Sequence, residues 1–343
     1  MTDGGIQLKD VQLVVIGGGP AGMAAALEAK KRGIDDILIL EREDSLGGIL
    51  MQCIHTGFGL QVFKEELTGP EYAFRYIDMI DSAGIAYLTG TTVLSIGPDL
   101  TVEAISTEAG HLRIRTGAVI LAMGCRERTR GALNIPGTRP SGVITAGTAQ
   151  KFVNILGYMP GKKFVILGSG DIGLIMARRL TLEGAEVKMV CEIMPKPGGL
   201  TRNVVQCLCD FDIPLKLRHT VVKIHGSERL EGVTVARVED DLKPVPGSEE
   251  YVGCDTLLLS VGLIPENEIT KAAGIRMDPV TAGPVTDKGM ATSMPGVFAC
   301  GNVVRVHDLA DNVTRQGELA GRTAAAWISK TKRRDGSFVS FCT

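Results

Sequence analysis

Apolar residues along the chain fall into three patterns, each predicting a different kind of element. Short, mostly apolar runs occur at residues 11–16, 37–40, 118–123, 163–167, 186–190, 256–261 and 296–302, the last ending in a turn. Such runs suit strands buried on both faces of a parallel sheet. Segments 21–31, 71–83, 174–183, 201–211 and 313–328 read as helices, the last alanine-rich with Asn312 as its N-cap. Short β-like runs at 85–88, 92–96, 101–105 and 111–116, and again at 215–225 and 232–238, predict small antiparallel layers covering the parallel sheets. Residues 126–140 lack periodicity and are rich in arginine, glycine and proline, which predicts a linker; 262–267 reads as a second hinge.

The turn after the first run carries chemistry. It reads Gly17-Gly18-Gly19-Pro20-Ala21-Gly22, a GxGxxG spacing on Gly17, Gly19 and Gly22. The first glycine permits a sharp turn, the second lets backbone approach a diphosphate, and the third lets helix pack on strand. The diphosphate would sit at the N-terminus of the following helix, against backbone N–H groups and the helix dipole. Glu41 ends the next strand at 41 − 17 = 24 positions from the first glycine, placed to accept hydrogen bonds from an adenosine ribose. The pattern recurs at Gly168, Gly170 and Gly173, with Glu192 at 192 − 168 = 24. Strand, turn, helix and acid in register twice predict two dinucleotide sites.

Length and composition add limits. At 343 residues with 44% hydrophobic content the chain is long enough for two buried cores. A formal charge of −2 gives no electrostatic case for nucleic acid or an anionic membrane. No apolar run reaches the roughly 18 residues of a membrane span, and residues 1–10 lack the apolar core of a signal peptide, so a cytoplasmic location is expected. The eight cysteines include no CxxC and lack metal-ligand spacing, so no metal is expected and most are read as small core residues. The basic run after residue 330 is read as a frayed tail.

The order of motifs resembles the pyridine nucleotide-disulfide oxidoreductases in their compact, thioredoxin-reductase-like form. The resemblance rests on GGGPAG with Glu41, Leu46-Gly47-Gly48, the strand ending at Gly124, GSGDIG with Glu192, the strand ending at Gly262, and PGVFACGN at 295–302. It implies an α/β fold of two Rossmann-like dinucleotide-binding domains, each a parallel sheet with an antiparallel β layer. An FAD domain would comprise 1–125 and 265–330, enclosing an NAD(P) domain at 126–264, with 331–343 as a tail. It further implies FAD contacts at Gly17, Gly19, Pro20, Ala21, Gly22, Glu41, Arg42, Gly48, Gly124, Gly301, Asn302 and Gln316. NAD contacts would fall at Gly168, Gly170, Asp171, Ile172, Gly173, Glu192 and Gly262. Asn302 stands where the family commonly has aspartate, keeping an acceptor oxygen without the charge.

No thiol lies in residues 142–150, where thioredoxin reductases carry their redox CxxC, and only Cys53 follows Gly48 closely. The segments 124–128, 135–137 and 142–150 are instead similar to FAD/NAD subunits of multi-subunit dehydrogenases. Sarcosine oxidase, opine oxidase, hydrogen cyanide synthase and proline dehydrogenase have such subunits, as do assemblies with a glycerol-3-phosphate-dehydrogenase-like flavoprotein. The resemblance implies electron transfer between NAD(H) and a partner, a second flavoprotein or an iron-sulfur subunit, within an oligomer. A stand-alone NADH oxidase or dithiol reductase and a non-catalytic nucleotide-binding scaffold are the competing readings. A carboxylate at Glu192 favours NAD(H) over NADP(H), because it repels a 2′-phosphate. Candidate catalytic groups are Cys53 and His55, in a glycine-rich loop, and Arg315, in an Arg-Gln pair like that of thioredoxin reductases; His307 is a further candidate beside the late turn.

Overall fold

The computed structural model describes residues 6–335. Packing divides them into two units, one formed by the residues up to Arg126 together with those from Pro265 onward, the other by Glu127–Ile264. Each is an α/β unit with a five-stranded parallel sheet. In the first the strand order is Val297–Ala299, Val119–Leu121, Leu13–Ile16, Ile37–Leu40 and Ala86–Leu88. In the second it is Val143–Thr145, Thr256–Leu259, Lys163–Leu167, Glu186–Glu192 and Leu215–Leu217. The sequence repeat is therefore a repeat of four sheet strands, with an edge strand added to each.

Alternating side chains explain why the central strands read as continuous apolar runs. Leu13, Val15, Ile37 and Ile39 face helices Pro20–Lys31, Gly69–Ser82 and Ala310–Asp335; Val14, Ile16, Leu38 and Leu40 face the antiparallel layer through Val102, Ala104, Leu112 and Ile114. In the second unit Phe164 and Ile166 meet Leu174, Ala177 and Leu180 of helix Asp171–Leu182, while Val165 and Leu167 meet Val221, Val233 and Val235. Both faces are dry, so each such side chain contributes roughly 1.5–3 kcal/mol of burial.

Several boundaries differ from the sequence expectation. Gln7–Val11 is a separate strand paired in parallel with Gly110–Thr116, and the sheet strand begins only at Leu13. Ala86–Leu88 joins the parallel sheet beside Ile37–Leu40 rather than the antiparallel layer, because helix Gly69–Ser82 returns the chain as a crossover. The 215–225 run is two strands in different sheets, broken at Arg218, whose φ of 55° lies in the left-handed region. Residues 126–140 contain strand Cys125–Glu127 and helix Arg130–Leu133. The predicted 201–211 helix is Thr201–Cys207 followed by a 3-10 turn at Cys209–Phe211. The last helix starts at Ala310, so Asn312 lies inside its first turn instead of capping it, and the helix continues through Asp335 where a frayed tail was expected. Tail residues 336–343 lie outside the described residues. Among the described residues no helix is long and apolar enough to cross a membrane.

Candidate functional site: two glycine turns and their acids

In the first unit the three glycines of the turn do different work. Gly17 has a φ of 105°, and a Cβ there would lie 2.4 Å from the Ala122 carbonyl oxygen. A Cβ on Gly22 would lie 1.9 Å from the Gly17 oxygen. The fold itself therefore requires both. Gly19 has φ −77° and ψ −174°, a conformation open to any residue, and a Cβ there would meet nothing within 4 Å. Its small size leaves room beside the N-terminus of helix Pro20–Lys31, which carries no side-chain cap bond. A phosphate approaching backbone fits that space.

Glu41 closes this turn. Only 6% exposed, it accepts hydrogen bonds from Gly18 N (2.7 Å) and Glu43 N (2.9 Å). A carboxylate has about four lone-pair sites, so two stay open to ribose hydroxyls. Arg42 is exposed at 4.0 Å from Glu43. Gly47 N donates to the Gly18 carbonyl (2.9 Å), and Gly48 packs on Gly19, where an added Cβ would come within 3.1 Å of the Gly19 Cα.

The late turn meets the same helix. A Cβ on Gly301 would lie 2.9 Å from the Ala21 Cβ, and Gly301 N donates to Gln316 Oε1 at 3.0 Å. Asn302 is engaged within the protein: its Oδ1 accepts from His307 N (3.0 Å), and its Nδ2 contacts Cys125 Sγ (3.6 Å). Gly124, with φ 71°, borders open space. Arg315 is exposed. Burial pushes the His307 imidazole below its usual range, opposed in part by the neighbouring Gln316 side chain.

Cys53 is buried, its thiol donates to the Ile49 carbonyl at 3.3 Å, and burial pushes it up to about 12. It packs on Gly69, where a Cβ would lie 2.8 Å from the Cys53 Cβ. The His55 ring lies 5.2 Å from that of Phe58, tilted by 47°.

The second unit repeats the first closely at several points. Gly168, with φ 100°, is pressed against the Ser260 carbonyl, where a Cβ would lie 2.0 Å from the oxygen, and a Cβ on Gly173 would lie 2.7 Å from the Gly168 oxygen. The middle glycine, Gly170, again has an ordinary backbone, φ −64° and ψ 160°, with only Ser260 Oγ at 3.9 Å. Glu192, 7% exposed, accepts from Ser169 N (3.0 Å), Ser169 Oγ (2.5 Å) and Met194 N (2.9 Å). Asp171 Oδ1 accepts from Leu200 N (2.8 Å) and Asn203 Nδ2 (2.7 Å), holding the next loop, while Ile172 packs into the helix-side core. Gly262, with φ 98°, borders open space as Gly124 does.

Sequence reasoning missed Gly198 and Gly199. Gly199 N donates to the Ser169 carbonyl at 2.8 Å, as Gly47 does to Gly18, and Gly198 N donates to Ser169 Oγ at 2.9 Å. The signal was present: paired glycines begin at 47 − 41 = 6 and at 198 − 192 = 6 positions past the acid. Buried Asp311, in the first turn of helix Ala310–Asp335, had no comparable signal. Among the described residues the cysteines form no disulfide, and no cluster of His, Cys, Asp or Glu is placed to hold a metal.

Known proteins resemble this chain in sequence and in fold. An opine oxidase subunit from Agrobacterium tumefaciens is 26% identical over 91% of the chain, which spans 64% of that relative's length. The glutamate synthase [NADPH] small chain of Escherichia coli is 25% identical over 94% of the chain and 70% of its own length. The crystal structure of T. acidophilum thioredoxin reductase shares the fold, with a TM-score of 0.74 at 23% identity over 95% of this chain and 99% of that one. The family model for pyridine nucleotide-disulphide oxidoreductases matches residues 11–317, and the chain belongs to that family.

Proposed function

We propose that the chain is an FAD-dependent oxidoreductase that passes electrons between NAD(H) and a partner protein. The duplicated turn carries this reading, with a middle glycine in each copy that the fold does not itself require. FAD supplies the two-electron carrier that takes hydride from a reduced nicotinamide. Gly17, Gly19, Pro20, Ala21 and Gly22 would hold its diphosphate, Glu41 its ribose with Arg42 at the rim, and Gly48, Gly124, Gly301, Asn302 and Gln316 the remainder. Asn302 contributes through an oxygen that already accepts one hydrogen bond and has a second lone pair. The backbone N–H groups that open helix Ala310–Asp335 would favour negative charge that develops on reduction, and the Asp311 carboxylate in the same turn would offset part of that effect.

The second site would take NAD(H) at Gly168, Gly170, Asp171, Ile172, Gly173, Glu192 and Gly262. Glu192 already accepts three hydrogen bonds, leaving about one acceptor site for a ribose hydroxyl and none of the positive charge a 2′-phosphate needs. NADH is therefore preferred to NADPH, whatever the nicotinamide of the glutamate synthase relative.

Dithiol exchange needs an attacking and a resolving sulfur within reach, and the sequence has no CxxC. Membership of a larger assembly fits better. Ile49, Ile54, Leu60, Val306 and Leu309 are exposed on two segments of the first unit that the Gln61–Asp311 hydrogen bond ties together. Their exposure supports a docking surface on these segments. Affinity purification from the native source should recover a second flavoprotein or an iron-sulfur protein. Substrate-to-dye activity should require the assembly and fall with Leu60→Asp and Leu309→Asp together. A lone chain that reduces disulfides or oxygen with NADH at about 10 s⁻¹, an ordinary turnover, contradicts this reading.

A further inference from the structure

Asp311 is buried to 5% exposure in the first turn of helix Ala310–Asp335. Its Oδ2 accepts from Gln61 N at 3.1 Å, while its Oδ1 is shielded from solvent and has no hydrogen-bond partner among the described residues. The Tyr72 and Thr314 hydroxyls bond each other at 2.7 Å. Burying a carboxylate oxygen without a donor is costly, and natural proteins retain such a group where something else supplies the donor. The Gly301 turn adjoins this helix start, since a Cβ on Gly301 would come within 3.1 Å of Val313 Cγ1. His307, whose backbone N–H is held by Asn302, adds a second shielded atom without a partner, Nε2. The helix start thus offers a shielded, unpartnered acceptor beside the proposed flavin site.

We infer that Asp311 Oδ1 accepts a hydrogen bond from the imide N3–H of the bound isoalloxazine ring. In oxidised flavin the imide N3–H is the one N–H of the ring, and a shielded carboxylate oxygen without a donor is its complement. The ribityl hydroxyls are the other donors of the cofactor, and methylation at N3 separates them from the imide. Asp311 is then a cofactor-contacting residue, and Gln61 positions it by holding its other oxygen. Negative charge against the imide opposes charge building on the ring, so the flavin gives up electrons more readily. This inference rests on the first site taking FAD.

The test is a cycle between protein and ligand. Apoprotein, as wild type and as Asp311→Asn, is titrated with FAD and with 3-methyl-FAD, in which a methyl group replaces the imide hydrogen. Asparagine keeps an oxygen for Gln61 and nearly the same volume, so steric conflict with the methyl group is equal in both proteins. Wild type should prefer FAD by about tenfold or more, as expected for a hydrogen bond to a charged group, and Asp311→Asn should lose most of that preference. The variant's flavin potential should also rise, by about 30 mV for a tenfold change in a two-electron couple. An unchanged preference, or a variant that binds FAD as tightly as wild type, overturns the assignment and leaves Asp311 to a buried water. Should the variant not fold, the ¹⁵N3-labelled flavin in wild type decides: slow N3–H exchange supports the bond, and exchange as fast as in free FAD overturns it. Wild type that binds no FAD at all would refute the proposed function instead.

Discussion

At the level of single residues, the glycines separate what folding requires from what binding requires. Gly22→Ala puts a methyl 1.9 Å from the Gly17 oxygen and should cost about 1–3 kcal/mol of stability through overpacking. Gly19→Ala meets nothing within 4 Å, so stability should change by less than about 0.5 kcal/mol. Its FAD affinity should nevertheless fall by about 1.5–3 kcal/mol, the worth of a backbone hydrogen bond to a charged diphosphate. Urea unfolding of the apoproteins and FAD titration read the two effects separately, and equal stability losses would refute the division. Cys53 makes a second residue-level test. A buried thiol pushed up to about 12 stays protonated at pH 8, so iodoacetamide should modify exposed Cys209 well before Cys53. Rapid alkylation of Cys53 would restore it as a reactive group. The sequence shows a cysteine and a histidine two positions apart; it does not show that the thiol is packed on Gly69, because that contact joins separate elements.

Among the elements, the helix pair of the first unit positions one end of the proposed FAD site. Gly317 and Gly321 let helix Ala310–Asp335 lie directly on Pro20–Lys31, where a Cβ on either would come within 2.2 Å and 2.1 Å of the Ala21 and Ala25 carbonyls. That contact sets the late Gly301 turn against Ala21. Gly317→Ala opposes two effects: helix propensity gains roughly 1 kcal/mol, and forcing the backbones apart loses about 1–3 kcal/mol. Packing should win, lowering the melting temperature and weakening FAD binding; a variant stabilised with unchanged FAD affinity would show that the close crossing is dispensable. Parallel strands and nucleotide helices were legible because dry two-faced burial and glycine turns leave strong local patterns. Ala86–Leu88 and the break at Arg218 were not, since their sheet membership depends on where a crossover or one left-handed residue sends the chain.

For the whole molecule, the repeat organises the fold. The two units share the order of four sheet strands, one turn geometry and one turn-to-acid hydrogen bond, Gly18 N to Glu41 and Ser169 N to Glu192. The duplication was visible in the spacing of glycines and acids, whereas the edge strands come from opposite ends of their segments, Val297–Ala299 in one unit and Val143–Thr145 in the other. Hydride transfer between the two proposed dinucleotide sites is directly measurable. FAD-reconstituted protein, mixed anaerobically with NADH or NADPH in a stopped-flow instrument, reports flavin reduction as loss of its visible absorbance. The expected result is bleaching by NADH, slower bleaching by NADPH, and loss of the NADH reaction in Gly170→Ala with FAD still bound. A protein that retains no FAD, or whose FAD neither nicotinamide reduces, would contradict the assignment of both sites.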